Sequence, residues 1–174
     1  MADDWGFNCG HAALCAITGM TPEELRPHLG DFEKKRYMNP TLMRLILRNL
    51  DVLSHWLVDV RGTKNLGWPM FGLVRVQWSG PWCAPGVPIA ARYRKTHWVA
   101  TELVSLKPVL RRVFDINATC DGGWIPYEEW SAQLVPWLLK ECQPKADGKW
   151  WPTHSVEIVK SQLVRRGGAG KERG

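Results

Sequence analysis

Up to about residue 50 the apolar residues recur at helical spacing, and beyond it they alternate. That change of period limits the fold more than any other feature of the chain. Residues 9–18 read as a first helix, closed by Gly19, a residue suited to the left-handed conformation that ends helices. In "TPEELRPHL", Thr21 is an N-cap, Pro22 fits the first helical position and Glu24 stands three residues after Thr21. These residues predict a capping box and a second helix, which Pro27 bends or shortens. Residues 31–38 read as a loop, with "EKKR" (33–36) a solvated face. Asn39 and Pro40 open "PTLMRLILRNL", whose Leu42, Met43, Leu45, Ile46, Leu47 and Leu50 form a wide apolar face.

Strands follow. "VLSHWLV" (52–58) is the first and "FGLVRVQW" (71–78) the second, with Leu73, Arg75 and Gln77 alternating with Val74, Val76 and Trp78. A Pro- and Gly-rich loop covers 79–88. "HWVATELV" (97–104) and "LRRVFDI" (110–116) read as an antiparallel pair joined by "SLKP". "CDGGW" turns into a helix over 126–142, in which Pro136 predicts a kink, and "THSVEIVK" (153–160) is a last strand. Helices followed by a meander of strands predict an α+β fold with an antiparallel sheet, not a doubly wound parallel one.

At 174 residues and 45% hydrophobic composition the chain can build one core, and no boundary divides it. Residues 1–160 are therefore expected to form a single domain. Residues 161–174 read as a basic, Gly-rich, disordered tail. The net charge is +6, but residues 160–174 hold five cations against Glu172, a local +4. The remainder is nearly neutral, which argues against a dedicated nucleic-acid binder and leaves only weak contact through the tail. The eleven tryptophans show no repeat period, which excludes a propeller or solenoid, and read first as packing rings. No run of about 18 apolar residues is present, so no membrane span is expected. The start, "MADDWGF", lacks the layout of a secretory signal, and a cytoplasmic location is expected. The cysteines are five, an odd number with no CxxC pair, and point to free thiols rather than a zinc ribbon or disulfide framework. No metal or cofactor is expected, because Cys9 and His11 lack further ligands.

Three residues could carry chemistry together. Cys9, in "WGFNCGHAALCAITG", stands at the start of the first helix, where unpaired amides and the helix dipole favour a thiolate. Gly10 permits another chain to approach closely. His97 follows the loop and opens a strand at the sheet's edge, so it is the candidate base. Pairing of 97–104 with 110–116 about residues 106–107 sets 97 opposite roughly 116–117, within reach of Asp115 or Asn117 as the orienting acceptor. Asn8 and Gln77 are candidate side-chain donors to an oxyanion, beside the Cys9 backbone N–H. His11 rims the site and Cys15 packs in the helix. Trp82 and Trp98 are candidate cleft walls, with Trp98 on the face of its strand opposite His97.

"NCGHAALCAI", "THWVATEL" and "VFDINA", in that order, resemble the Cys–His–Asp segments of papain-like cysteine peptidases. The likeness is greatest to the bacteriocin-processing, double-glycine leader branch. The resemblance covers these three segments and their order, and the whole is also similar to small phage and bacterial proteins. The resemblance implies a papain-like fold and a hydrolase that cleaves a peptide or amide bond of a peptide or protein substrate through Cys9, His97 and Asp115. It implies the host cytoplasm if the chain is phage-encoded. One position departs from the pattern: the family's oxyanion-binding glutamine, about six residues before the cysteine, is Asp3 here, which as a carboxylate only accepts hydrogen bonds. Two alternatives stand beside the hydrolase. One is a transglutaminase-like acyl transferase on the same triad. The other is an inactive papain-like binding or structural module. Oligomeric state is not legible.

Overall fold

The computed structural model describes residues 8–32, 37–92, 95–118 and 121–159. Asp3, the 33–36 stretch, Cys120 and the tail over 161–174 lie outside the described residues. The first helix, α1, spans Cys9–Thr18 and ends on Gly19 at φ 70°, whose N–H bonds the Cys15 carbonyl. Helix α2, Pro22–Leu25, opens on the capping box: Thr21 N–H donates to Glu24 (2.8 Å) and Glu24 N–H to the Thr21 hydroxyl (3.3 Å). Pro27 falls in the 3₁₀ turn Arg26–His28 that continues it. Helix α3, Pro40–Asn49, is capped by Asn39, whose side chain accepts from Leu42 N–H at 2.8 Å.

The second half forms one antiparallel sheet of six strands: β1 Ser54–Val58, β2 Phe71–Trp78, β3 Thr96–Leu106, β4 Val109–Phe114, β5 Trp124–Pro126 and β6 Trp150–Ile158. The fold class is α+β. The spatial order is β1-β6-β2-β3-β4-β5, which corrects the expected simple meander. The last strand is inserted between β1 and β2 and begins three residues earlier than expected. It tolerates that central position because its buried polar groups are bonded: Thr153 Oγ1 donates to the Arg75 carbonyl and Ser155 Oγ to the Gly67 carbonyl.

Alternation along the strands gives the sheet two buried faces. On one, Leu73, Trp98, Ala100, Val156 and Ile158 meet Ala13, Leu14 and Ile17 of α1 and Leu42, Met43, Ile46 and Leu47 of α3. On the other, Val74, Val76, Trp78, Val99 and Val113 meet Trp130, Val135 and Leu139. The latter belong to α5, a helix built from Tyr127–Glu129, a wider π-helical stretch Trp130–Leu134, and Val135–Cys142. Pro136 was expected to kink this helix. It follows directly on the wider turn, where Val135 N–H reaches back five residues to the Trp130 carbonyl, so the ladder is rerouted ahead of a residue with no N–H. A short helix not foreseen in the sequence, α4 (Ile89–Arg92), precedes β3. No helix among the described residues is long and apolar enough to cross a membrane.

Candidate active site

Cys9 is the first residue of α1, after Asn8 in extended conformation. The first intrahelical bond runs from Ala12 N–H to the Asn8 carbonyl, so the Cys9 N–H belongs to a turn whose amides have no partner inside the helix. The helix end is pressed onto β3. A Cβ on Gly10 would lie 2.5 Å from Met38 Cβ and 3.2 Å from Trp98 Cδ1, so the glycine permits the contact expected of it. The result is a hydrogen bond from Trp98 N–H to Cys9 Sγ, 3.3 Å.

His97 and Trp98 then part to opposite faces. Trp98, expected as a cleft wall, is 2% exposed, bonds the Met38 carbonyl through Nε1 (2.9 Å) and is a core residue under α1. His97 pairs with Val76 across the strands and faces the α5 side, where its ring stacks on Trp78 at 5.8 Å and 24°. His97 Nε2 meets Asp115 Oδ2 at 2.9 Å. That contact leaves Nδ1 as the ring nitrogen for Cys9, which lies near enough that His97 and Cys9 each shift the other's pKa.

Asp115 lies one residue past β4, fully buried, and its carboxylate is saturated with donors. Asn117 gives its backbone N–H (3.0 Å) and its Nδ2 (2.9 Å) to Oδ1, and Trp130 Nε1–H donates to Oδ2 at 2.8 Å. Of the two residues within reach of His97, Asp115 is thus its partner and Asn117 holds the partner in place. The hairpin register expected from the sequence holds near the site, with Ala100 opposite Phe114, although β3 slips by one residue beyond Leu103.

The charges follow from this packing. Burial alone would push the Cys9 thiol up, but the charge and hydrogen bond of His97 and the Trp98 N–H outweigh it and hold the thiol below its ordinary value. Burial disfavours a charged His97, yet Asp115 and Cys9 raise its pKa well above 6.5. Asp115, despite burial, is held at about 2 by His97, Trp130 and Asn117. All three directions favour a thiolate, an imidazolium and a carboxylate in one line.

The other candidates fall in different places. Gln77 is 2% exposed and spends both Nε2 hydrogens on the Trp78 and Lys95 carbonyls (2.9 and 3.0 Å), so it has no donor for an oxyanion and is corrected to a structural residue. Asn8 sits beside Cys9, and its side chain makes no cap bond to α1. His11 is buried against Phe32, and burial with the nearby Arg26 lowers its pKa to about 4. Trp82 is half-buried, its Nε1 donates to the Trp78 backbone carbonyl at 2.7 Å, and it packs against the core on the α5 side of the sheet. Two partners of the site, Trp78 and Trp130, were not singled out in the sequence. Trp78 could have been found from pairing alone, since it lies two residues beyond Val76, the partner of His97, on the same face. Nothing in the chain's local pattern ties Trp130 to Asp115. Among the described residues no three His, Cys, Asp or Glu side chains group as metal ligands.

Comparison with protein families, curated proteins and solved structures finds no match to this chain.

Proposed function

We propose that this chain is a papain-like cysteine hydrolase that cleaves a peptide or other amide bond by acyl transfer to Cys9. The observation that carries the reading is the meeting of Cys9 Sγ, His97 and Asp115, with Cys9 at a helix N-terminus and Asp115 bonded to His97 at 2.9 Å. The Cys9 thiolate attacks the carbonyl carbon and forms a C–S bond while the carbonyl π pair moves to oxygen. The Cys9 backbone N–H supports that oxyanion. The His97 imidazolium gives its proton to the amine as the C–N bond breaks. Water, deprotonated by the now neutral His97, attacks the thioester, and the thiolate leaves with His97 protonated again. Asp115 keeps Nε2–H engaged, so that Nδ1 faces sulfur, and stabilises the imidazolium.

The test is acyl transfer itself. With p-nitrophenyl acetate, intact-mass analysis should detect one acetyl group on Cys9 that is lost to water over time, and neither Cys9→Ala nor His97→Ala should acquire it. Acetylation of Cys83 at an equal rate, or none at Cys9, would sink the reading. A second reading, a papain-like module that binds without turnover, is favoured by Gln77, whose amide hydrogens are engaged and which cannot replace the glutamine missing ahead of Cys9. It predicts an acetyl group that forms and persists.

A further inference from the structure

A pocket of about 330 Å³ lies beside α1, between that helix and the end of β4 with the start of β5. It begins at Asn8 and follows the side of α1 that carries Ala12 and Ala16 as far as Met20. Its far wall is Phe114, Ile116 and Trp124. Asn8 precedes Cys9, and Phe114 and Ile116 bracket Asp115, so each wall is continuous with one member of the triad.

The chemistry of the lining is one-sided. Among the described residues, no lining side chain carries a formal charge. Its two titratable groups are both neutral at pH 7. Burial, aided by Arg26, brings His11 to about 4, and burial, aided by Glu23, pushes Cys15 to about 11. Glu23, Glu24 and Arg26 themselves are exposed. The volume is at the lower end of the ~300–1,000 Å³ common for ligand pockets, enough for one or two large side chains.

We propose that this pocket is the specificity pocket of the site and takes an uncharged aliphatic or aromatic side chain next to the scissile amide. The assignment rests on Cys9 being the nucleophile. A charged side chain is disfavoured because none of the described lining residues can offset its loss of hydration. An apolar one gains by leaving water, by about threefold to fourfold in affinity per methylene buried.

A series of N-alkylmaleimides, methyl to hexyl, tests this, with the labelled cysteine identified by peptide mapping. The Cys9 rate is expected to climb about threefold per methylene until the pocket is filled, while Cys83 shows no such climb. Replacing N-hexylmaleimide by 6-maleimidohexanoic acid should slow Cys9 about tenfold or more. Ala16→Leu fills the pocket and should flatten the climb, so that the ratio of the N-hexylmaleimide rate to the N-methylmaleimide rate falls toward one. Should that variant not fold, Trp124→Ala opens the far wall beside Phe114 and Ile116 and is expected to weaken the same slope. A Cys9 that reacts fast with N-methylmaleimide, depends on His97 and yet shows no chain-length preference overturns the pocket alone. A Cys9 that reacts slowly and ignores His97 overturns the nucleophile instead.

Discussion

Cys9 and Cys15 lie six residues apart on one helix, both half-buried, and their chemistry diverges. At the N-terminal end the sulfur meets the Trp98 N–H and the charge of His97, and its pKa falls. In the last turn the sulfur meets apolar groups and the charge of Glu23, and its pKa rises to about 11. A thiol of that value is only about one part in ten thousand ionised at pH 7. Burial acts on both in the same direction. The difference lies in what else each sulfur touches, and residue type alone carries no information about it.

The strongest way to break this contrast is to remove the imidazole. In His97→Ala the thiol keeps its burial and loses its largest stabiliser, so Cys9 should come to resemble Cys15. Iodoacetamide labelling of Cys9 at pH 6 is expected to fall by about 10²–10⁴-fold, and turnover of any amide substrate with it. In the wild type the Cys9 rate should rise with pH well before that of Cys15 or Cys83, whose thiol is also raised by burial. Coincident pH profiles at Cys9 and Cys15 would defeat the contrast.

Asp115→Asn is a step smaller. It leaves the shape intact but offers Trp130 and His97 an uncharged partner, so the imidazolium weakens and the Cys9 thiol moves upward. Turnover should drop by about 10²–10⁴-fold, with labelling at pH 6 less affected than in His97→Ala. The same residue links stability to acid. Its folded pKa of about 2 lies below the ordinary 3.8, so its contribution is complete above about pH 4 and is lost as pH falls through 2. The size is about 2 kcal/mol. Thermal melts between pH 5 and 2 should show that loss in the wild type, and a shallower one in Asp115→Asn.

How much of this could be read beforehand depends on the range of each interaction. The capping box at Thr21 and Glu24, the Asn39 cap and the Gly19 stop are local, and each residue announces its own element. The grouping of Cys9, His97 and Asp115 was legible because a short hairpin ties His97 to Asp115 and the Cys9 segment marks a helix start. The choice between Asp115 and Asn117 was not, since both lie within one residue of the expected register. It is settled by the chain bending after Phe114 so that Asn117 turns back onto Asp115. The roles of Gln77, Trp98 and Trp130 depend on which face of the sheet each occupies and which helix covers it. Those are contacts across many residues, as is the insertion of β6 beside β2. Trp98 illustrates the limit: alternation placed it opposite His97, but only the carbonyl of Met38 shows that its indole belongs to the core.

Gly10→Ala comes next, because it acts on the seating of α1 without changing the side chain of Cys9, His97 or Asp115. The new methyl would meet Met38 Cβ at 2.5 Å, closer than carbon atoms pack, so α1 or the Met38 segment must shift. The expected cost is about 1–3 kcal/mol of stability, read from chemical denaturation. If α1 moves, the Trp98 N–H lengthens its reach to sulfur and Cys9 labelling at pH 6 slows. If the Met38 segment moves instead, stability falls and labelling holds. The two outcomes separate the helix end's placement from its charge environment.

The smallest effect belongs to Cys15→Ala, and it isolates the other half of the contrast. Cys15 lines the apolar pocket, and burial with Glu23, not Cys9, His97 or Asp115, sets its raised pKa. Removing it deletes one polarisable atom from a half-buried position, so the stability change should stay near or below about 1 kcal/mol. The Cys9 pH profile should not move, because none of the groups that set it is altered. A shift of that profile in Cys15→Ala would mean that the two ends of α1 are coupled through the helix, and the separate environments argued for the two sulfurs would have to be given up.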